Sequence, residues 1–249
     1  MKEELAHCYN CGRPVVGKFC SECGQKFQPP VIPLKDVVVD ILGNFITYDS
    51  KALRSLRPLL LRPGFLTKEY AAGRQVAYLP PSRLYAIVSV YFWLLVRRFD
   101  PITVDTFRQS VREQAGTLQT LTAAQVAQMN ERISNNLPLL MLGIIPLFAL
   151  LLTLLYLRQR IYYTQHLTFT FHFFSFTYLI LTPAVVTANP RVYYVTLLAI
   201  VPIYLFVALR TVYQQRLGST IVKTVVLWAG FLVLLLLWVL LIAVTGLRR

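Results

Sequence analysis

The second half of the chain is a succession of apolar runs. Four stretches, about Leu137–Leu157, Leu167–Ala188, Val192–Leu209 and Ile221–Thr245, are nearly free of charge. Each comes close to or exceeds the roughly 20 residues an α-helix needs to cross about 30 Å of hydrocarbon. A weaker fifth stretch, Leu79 to Val96, opens on Pro80-Pro81 and closes on Arg97-Arg98. Two arrangements fit it: a full crossing, or a re-entrant segment that returns to its own side. Between Phe99 and Asn136 the chain turns polar, with helical spacing at Leu121, Val126 and Ile133, which predicts an extramembrane segment of one or two short helices. The pattern predicts an all-α polytopic membrane protein with about five transmembrane helices.

Upstream, apolar residues recur at a different scale. Leu34, Val37, Val38, Ile41, Leu42 and Phe45 fall on one helical face opposite Lys35, Asp36, Asp40 and Asn44, after a stiff linker through Pro29, Pro30 and Pro33. Such a helix suits the inner membrane surface and suits packing on the protein's own helices equally well. Asp49 and Ser50 can cap a second helix through Leu53, Leu56 and Leu60 that ends near Arg62-Pro63-Gly64. A further turn through Lys68-Glu69-Tyr70 stops at Gly73. The domain reading is a ribbon at 1–28, a linker with amphipathic juxtamembrane helices at 29–78, and a transmembrane domain at 79–249 with its extramembrane segment at 99–136.

The four cysteines all lie near the N-terminus, as Cys8-x-x-Cys11-Gly12 and Cys20-x-x-Cys23-Gly24. Each Cys-x-x-Cys turn aims two thiolates at one point, and the glycine after it lets backbone amides approach the sulfurs. Two such turns form a closed tetrahedral site for one structural zinc ion. Two disulfides or a redox motif are the rival readings. Four thiols on one metal leave no open position for catalysis, and Met1-Lys2-Glu3-Glu4 is no signal peptide, so a reduced, cytosolic ribbon is expected. His7 is a neighbour of this shell, not a ligand. Tyr9, Val15, Phe19 and Phe27 are the material for a core, and a unit this small depends on its metal to fold.

Composition agrees with the bilayer reading: 56% of residues are hydrophobic and 14% charged, where soluble domains carry about 25% charge. The formal net charge of +14 would point to nucleic acid in a soluble protein, but tethering to a bilayer makes nucleic acid the lesser expectation. With five spans and the N-terminus inside, 17 of the 25 Lys and Arg residues fall on the inner side. A re-entrant first segment would bring Arg248 and Arg249 inside as well. Arg62, Lys68, Arg74 and Arg83 belong to a basic stretch that reads either as a charge belt on the cytosolic side or as contacts for anionic headgroups. No acid follows Glu131, which removes the intramembrane carboxylates that proton- and cation-coupled transporters commonly use.

Within the membrane, Tyr162, His166 and His172 form a polar site in the span from Leu167 to Ala188 and its entry. Six residues along a helix turn the two histidines about 240° apart, so they do not share a metal. His166 marks the interface; His172, deeper, needs a hydroxyl or carbonyl partner, and either serves structure or contacts a proton or substrate. Thr168, Thr170, Ser175, Thr177 and Thr182, with Pro146, Pro183 and Pro202 in three spans, suit a substrate cavity and suit ordinary helix packing. No nucleophile elbow, P-loop, dinucleotide fingerprint or His-Glu-x-x-His occurs, so an enzymatic role has no support.

These motifs together resemble a bacterial membrane family of uncharacterised activity, domain of unknown function 3667. The resemblance is carried by Phe19-Cys20-x-x-Cys23-Gly24-Gln25, Arg62-Pro63-Gly64, Tyr70-x-x-Gly73-Arg74 and Tyr78-Leu79-Pro80-Pro81. It continues with Tyr163-x-x-His166-Leu167-x-Phe169-x-x-His172 and Arg210-x-x-Tyr213. It implies a zinc ribbon fused to a multi-span domain of the inner (cytoplasmic) membrane and no known activity. Gln165 stands where the family often has an acid. The expectation for function is a membrane-anchored adaptor or assembly factor whose ribbon docks a cytosolic or membrane protein partner; the alternative is a small-solute or lipid transporter or channel. A weaker third reading is a lipid-active enzyme holding a phosphate headgroup on the basic stretch.

Overall fold

A computed structural model describes residues 6–27, 50–99 and 123–247. The amphipathic segment at 34–45, the proline linker, the Asp49 cap and Leu121 lie outside the described residues. From residue 50 on, the described residues are helices and their connecting turns, while the ribbon at 6–27 consists of turns with two isolated β-bridges.

The helices are α1 (Ser50–Leu61), α2 (Phe65–Ala71), α3 (Pro81–Phe99), α4 (Ala123–Leu155), α5 (Tyr163–Thr187), α6 (Pro190–Tyr213) and α7 (Leu217–Leu247). Three of them, α5, α6 and the Leu217–Leu237 part of α7, are long and apolar enough to cross a membrane; α4 contributes a shorter apolar helix at Leu142–Leu155. The chain is thus consistent with a membrane protein.

Helix α5 is apolar on every face and forms the centre of the bundle, with α3, α4 and α6 packed around it. Ring contacts give the directions. Tyr85 meets Phe171 and Phe92 meets Tyr178, so α3 runs parallel to α5. Phe148 packs on Phe173 and Tyr156 on His166, so α4 is antiparallel to it, as is α6 through Phe176–Tyr204 and His166–Tyr213. The outer faces carry exposed aliphatic side chains, among them Val90 and Leu94 on α3, Leu147 and Leu154 on α4, Ile203 on α6 and Val225 and Val233 on α7. Water does not sustain such a girdle, whereas lipid does.

Two features add to the sequence reading. Helix α4 begins at Ala123 and passes without a break into the apolar run, so the described part of the polar stretch, 123–136, is the start of one helix about 50 Å long, and residues 100–122 lie outside the described residues. Good helix formers such as Ala, Gln, Met, Glu and Arg propagate the hydrogen-bond ladder across the change in polarity. In α6 the residues before Pro202 form a π turn, Thr196–Ile200. Proline offers no amide to the preceding turn, and the wider turn absorbs the mismatch without ending the span.

Helices α1 and α2 do not lie on top of the bundle; they are wedged into its end. The Leu59 carbonyl accepts from Tyr204 Oη at 2.8 Å, and Thr67 Oγ1 meets His172 Nδ1 at 3.0 Å. His172 is nine residues into α5 and Tyr204 nine residues before the end of α6, so the contacts lie about 13 Å inside the helix ends.

Candidate functional site

The ribbon is two copies of one turn. In the first, Cys8 N–H donates to the Arg13 carbonyl and Gly12 N–H to the Cys8 carbonyl; in the second, Cys20 N–H donates to Gln25 and Gly24 N–H to Cys20. The bridges His7–Pro14 and Phe19–Lys26 close each turn. Gly12 and Gly24 sit at φ of 76° and 70°, the left-handed conformation that reverses the chain beneath each pair of sulfurs.

All four Sγ atoms lie within 4.8 Å of one another; Cys8 and Cys23 are 3.6 Å apart, Cys11 and Cys20 3.5 Å. A tetrahedron with metal–sulfur bonds of about 2.3 Å has edges of about 3.8 Å, so the donor set fits one metal ion. The amides of Cys23 and Glu22 hold the Cys20 thiol down to about 7. The amide of Cys11 likewise lowers Cys8. Cys11, assisted by the Arg13 amide but opposed by burial and by the neighbouring sulfurs, is pushed up to about 12. Four thiolates this close repel one another, and a divalent cation is what makes them compatible.

Val15, Cys8 and Cys20 are the buried core of the ribbon, with Cys23 and Phe27 packed against them. Phe19, expected inside, is 62% exposed, and Tyr9 is also exposed, lying over Phe27 with centroids 5.8 Å apart. Cys8 and Cys20 take the buried positions that an aromatic core would occupy.

One face of the ribbon is latched to the membrane domain. Gln25 Nε2 donates to the Gly73 carbonyl at 2.7 Å, and Gln25 Oε1 accepts from the Gln75 amide at 3.4 Å, in a buried contact. Gly73 adopts φ of 80°, and a Cβ there would lie 2.8 Å from Tyr9 Cβ, so both the turn and the close seating of the ribbon require glycine.

Beyond the latch, Arg74 makes a bidentate pair with Glu69, at 2.7 and 2.6 Å. The guanidinium holds the Glu69 carboxyl below its usual range. Arg62, Lys68 and Arg74 line one cavity of about 470 Å³ together with Phe65, Val207 and Thr211. Arg62 and Phe65 also line a second, of about 620 Å³, with Arg54, Arg57, Leu61 and Tyr78. Arg83, at the start of α3, is half-buried and lines neither cavity. Gly64, at φ of 79°, fixes the Arg62-Pro63-Gly64 turn against α6, since a Cβ would lie 2.9 Å from the Ala208 carbonyl oxygen.

The histidines have separate partners. His172 meets Thr67 of α2, a partner from outside the bundle helices. His166 Nδ1 meets Tyr213 Oη at 2.7 Å, and Tyr213 stacks on Tyr156 with centroids 3.9 Å apart. His166 Nε2 and the Tyr156 hydroxyl are buried with no hydrogen-bond partner among the described residues, and Lys223 Nζ sits 3.7 Å from the Tyr156 ring centre. Tyr162 is exposed and joins neither group. The hydroxyls of Thr168, Thr170, Ser175, Thr177 and Thr182 each donate to the carbonyl four residues back. Their protons therefore serve the helix itself.

Sequence reasoning did not find the Gln25–Gly73 latch, the Thr67–His172 pair or the meeting of His166 with Tyr213. Gln25, Gly73, His166, His172 and Tyr213 all stand in quoted motifs, but nothing in one sequence says which motif touches which. No curated protein and no solved structure matches the chain. Residues 49–93, which hold α1, the Arg62-Pro63-Gly64 turn, α2 and the turn that receives the ribbon, match the family described as Protein of unknown function (DUF3667).

Proposed function

We propose that this chain is a membrane-anchored adaptor of the bacterial cytoplasmic membrane, in which one structural zinc ion holds the ribbon and the ribbon docks a protein partner on the cytosolic side. The observation that carries this reading is the latch. Gln25 and Tyr9 fasten the ribbon to the Gly73 turn, while Val16, 89% exposed, and Phe19 stay uncovered. Exposed apolar groups on so small a unit suit a protein contact, and a ribbon held still loses less entropy on docking than one on a free tether. All-thiolate coordination favours zinc among the common divalent ions.

Five spans with the N-terminus inside suit the helix directions: α3 starts, α4 ends, α5 starts, α6 ends and α7 starts at the end of the bundle that bears the ribbon. The test is quantitative mass spectrometry of proteins that co-purify with the full chain in native nanodiscs, against Cys20→Ser and the double variant Val16→Ser, Phe19→Ser. Both variants should lose the same stoichiometric protein. A partner set unchanged in both refutes the adaptor reading.

A second reading, passage of a small solute or lipid through the bundle, draws on the unpaired His166 Nε2 and Tyr156 hydroxyl in the interior. Flux in proteoliposomes that His166→Ala removes without loss of folding would favour it; no flux across a broad solute panel would count against it.

A further inference from the structure

The two cavities that share Arg62 and Phe65 are built in a way that a charge belt does not require. A belt needs only basic residues near the membrane surface. Here Arg62 is held on a rigid turn by the contact of Gly64 with α6, and its guanidinium lies over the Phe65 ring, 5.7 Å from the centroid. A guanidinium stacked on a ring keeps its N–H edge free for an oxyanion. Lys68 lies in the same cleft, and the only ion pair recorded among the described residues is Arg74–Glu69, so that pair already neutralises the one carboxylate lining it.

The walls are apolar and turned outward. Leu61 is 70% exposed and lines the larger cavity, and Val207, which lines the smaller one beside Lys68, belongs to the aliphatic girdle of α6. A soluble phosphate has no use for such walls. A phospholipid does, because its phosphate and its first acyl methylenes arrive together at this depth.

We propose that the cleft around Arg62 binds the phosphate of an anionic phospholipid from the leaflet on the ribbon's side, with Arg62 and Lys68 contacting the phosphate and Leu61 and Val207 the start of the acyl chains. This site is independent of the ribbon's partner. Arg54 and Arg57 extend its positive field along α1. Arg74, committed to Glu69, shapes the wall and is not a phosphate contact.

The test is a native mass-spectrometric titration of the purified full chain in detergent with short-chain phosphatidylglycerol, phosphatidylcholine or inorganic phosphate. Arg62→Gln and Lys68→Gln are compared with Arg97→Gln, Arg98→Gln at the far end of α3. The wild type should hold one phosphatidylglycerol in preference to phosphatidylcholine. Each cleft variant should weaken it about tenfold or more, as expected for a lost charge-assisted contact, and the far-end double variant should leave it unchanged. Equal binding of the two lipids overturns the proposal. So does an equal loss in the far-end variant, which would mark a general belt, and so does displacement by millimolar inorganic phosphate, which would mark a soluble anion site. Lys68→Gln alters an exposed side chain outside the Gly64 contact, so it remains a test if Arg62→Gln fails to fold.

Discussion

Replacing Gln25 by alanine should unlatch the ribbon without dismantling it. The side chain makes the 2.7 Å bond to the Gly73 carbonyl and accepts the longer contact from the Gln75 amide, whereas the ribbon turn uses only the Gln25 backbone carbonyl, which alanine keeps. The Gly73 carbonyl then loses its partner at a buried seat, a change of roughly 1–3 kcal/mol. At 1.4 kcal/mol per factor of ten, the open form of the latch rises about 5- to 150-fold. Amide hydrogen exchange of the full chain in nanodiscs reads this directly, because exchange in the 73–76 segment scales with the population of the open form. The expected result is acceleration in that range, confined to the turn and the facing ribbon edge, with metal content per chain unchanged. Gly73→Ala should give the same pattern from the other side, by driving a Cβ to within 2.8 Å of Tyr9. Unchanged exchange in both variants, with the metal still bound, would refute the seating of the ribbon on this turn.

Other contacts make comparably sharp predictions. Gly64→Ala combines a left-handed backbone with a contact of 2.9 Å to the Ala208 carbonyl, and should destabilise the membrane domain by roughly 2–5 kcal/mol, read as a lower midpoint in thermal unfolding. Thr67→Val keeps the shape but leaves His172 Nδ1 buried without its hydroxyl; a loss of about 1–3 kcal/mol is expected, and an unaltered midpoint would mean that the pair does not form. The Glu69–Arg74 pair lowers the folded pKa of Glu69, so its contribution is complete above the unfolded value of about 4.3 and disappears as pH falls through the lower folded value. The pair is partly exposed, so the pH-dependent difference between wild type and Glu69→Gln should stay below about 1 kcal/mol and shrink in salt.

Legibility in the sequence followed the range of the interactions. The cysteine cluster reads directly because each pair of ligands is local, and the second turn repeats the first twelve residues on. The membrane class reads from run length alone. The wedge of α1 and α2 does not, because its buried face is made of Ser55, Leu59, Leu66 and Thr67, two hydroxyls and two leucines between arginines, which resembles a surface helix. Its burial is decided by partners more than a hundred residues away, Tyr204 for Leu59 and His172 for Thr67. Phe19 failed in the opposite sense: its type says core, but it bridges to Lys26 with its side chain exposed, and Cys8, Val15 and Cys20 form the core. The change of polarity near Asn136 does not show that the helix continues through it, because good helix formers such as Ala, Gln and Glu carry the backbone ladder across.

The motifs that looked scattered along the chain are parts of one assembly at one end of the bundle. Gln25 grips Gly73, Gly64 seats against Ala208, Thr67 reaches His172, and His166 reaches Tyr213. Each of these joins two segments that share no local sequence, and each uses a residue whose substitution leaves an unpaired buried group or a steric conflict. The helices far from this end show the opposite character, with aliphatic outer faces on which one large apolar side chain can replace another at little cost. Specificity of structure is therefore concentrated where the ribbon, the basic cleft and the bundle meet. The ribbon and the cleft are also joined covalently through adjacent residues, since the ribbon holds Gly73 while Arg74 lines the cavity beside Arg62. The turn that seats the ribbon thus also forms one wall of the basic cleft, so the two sites meet at a shared element.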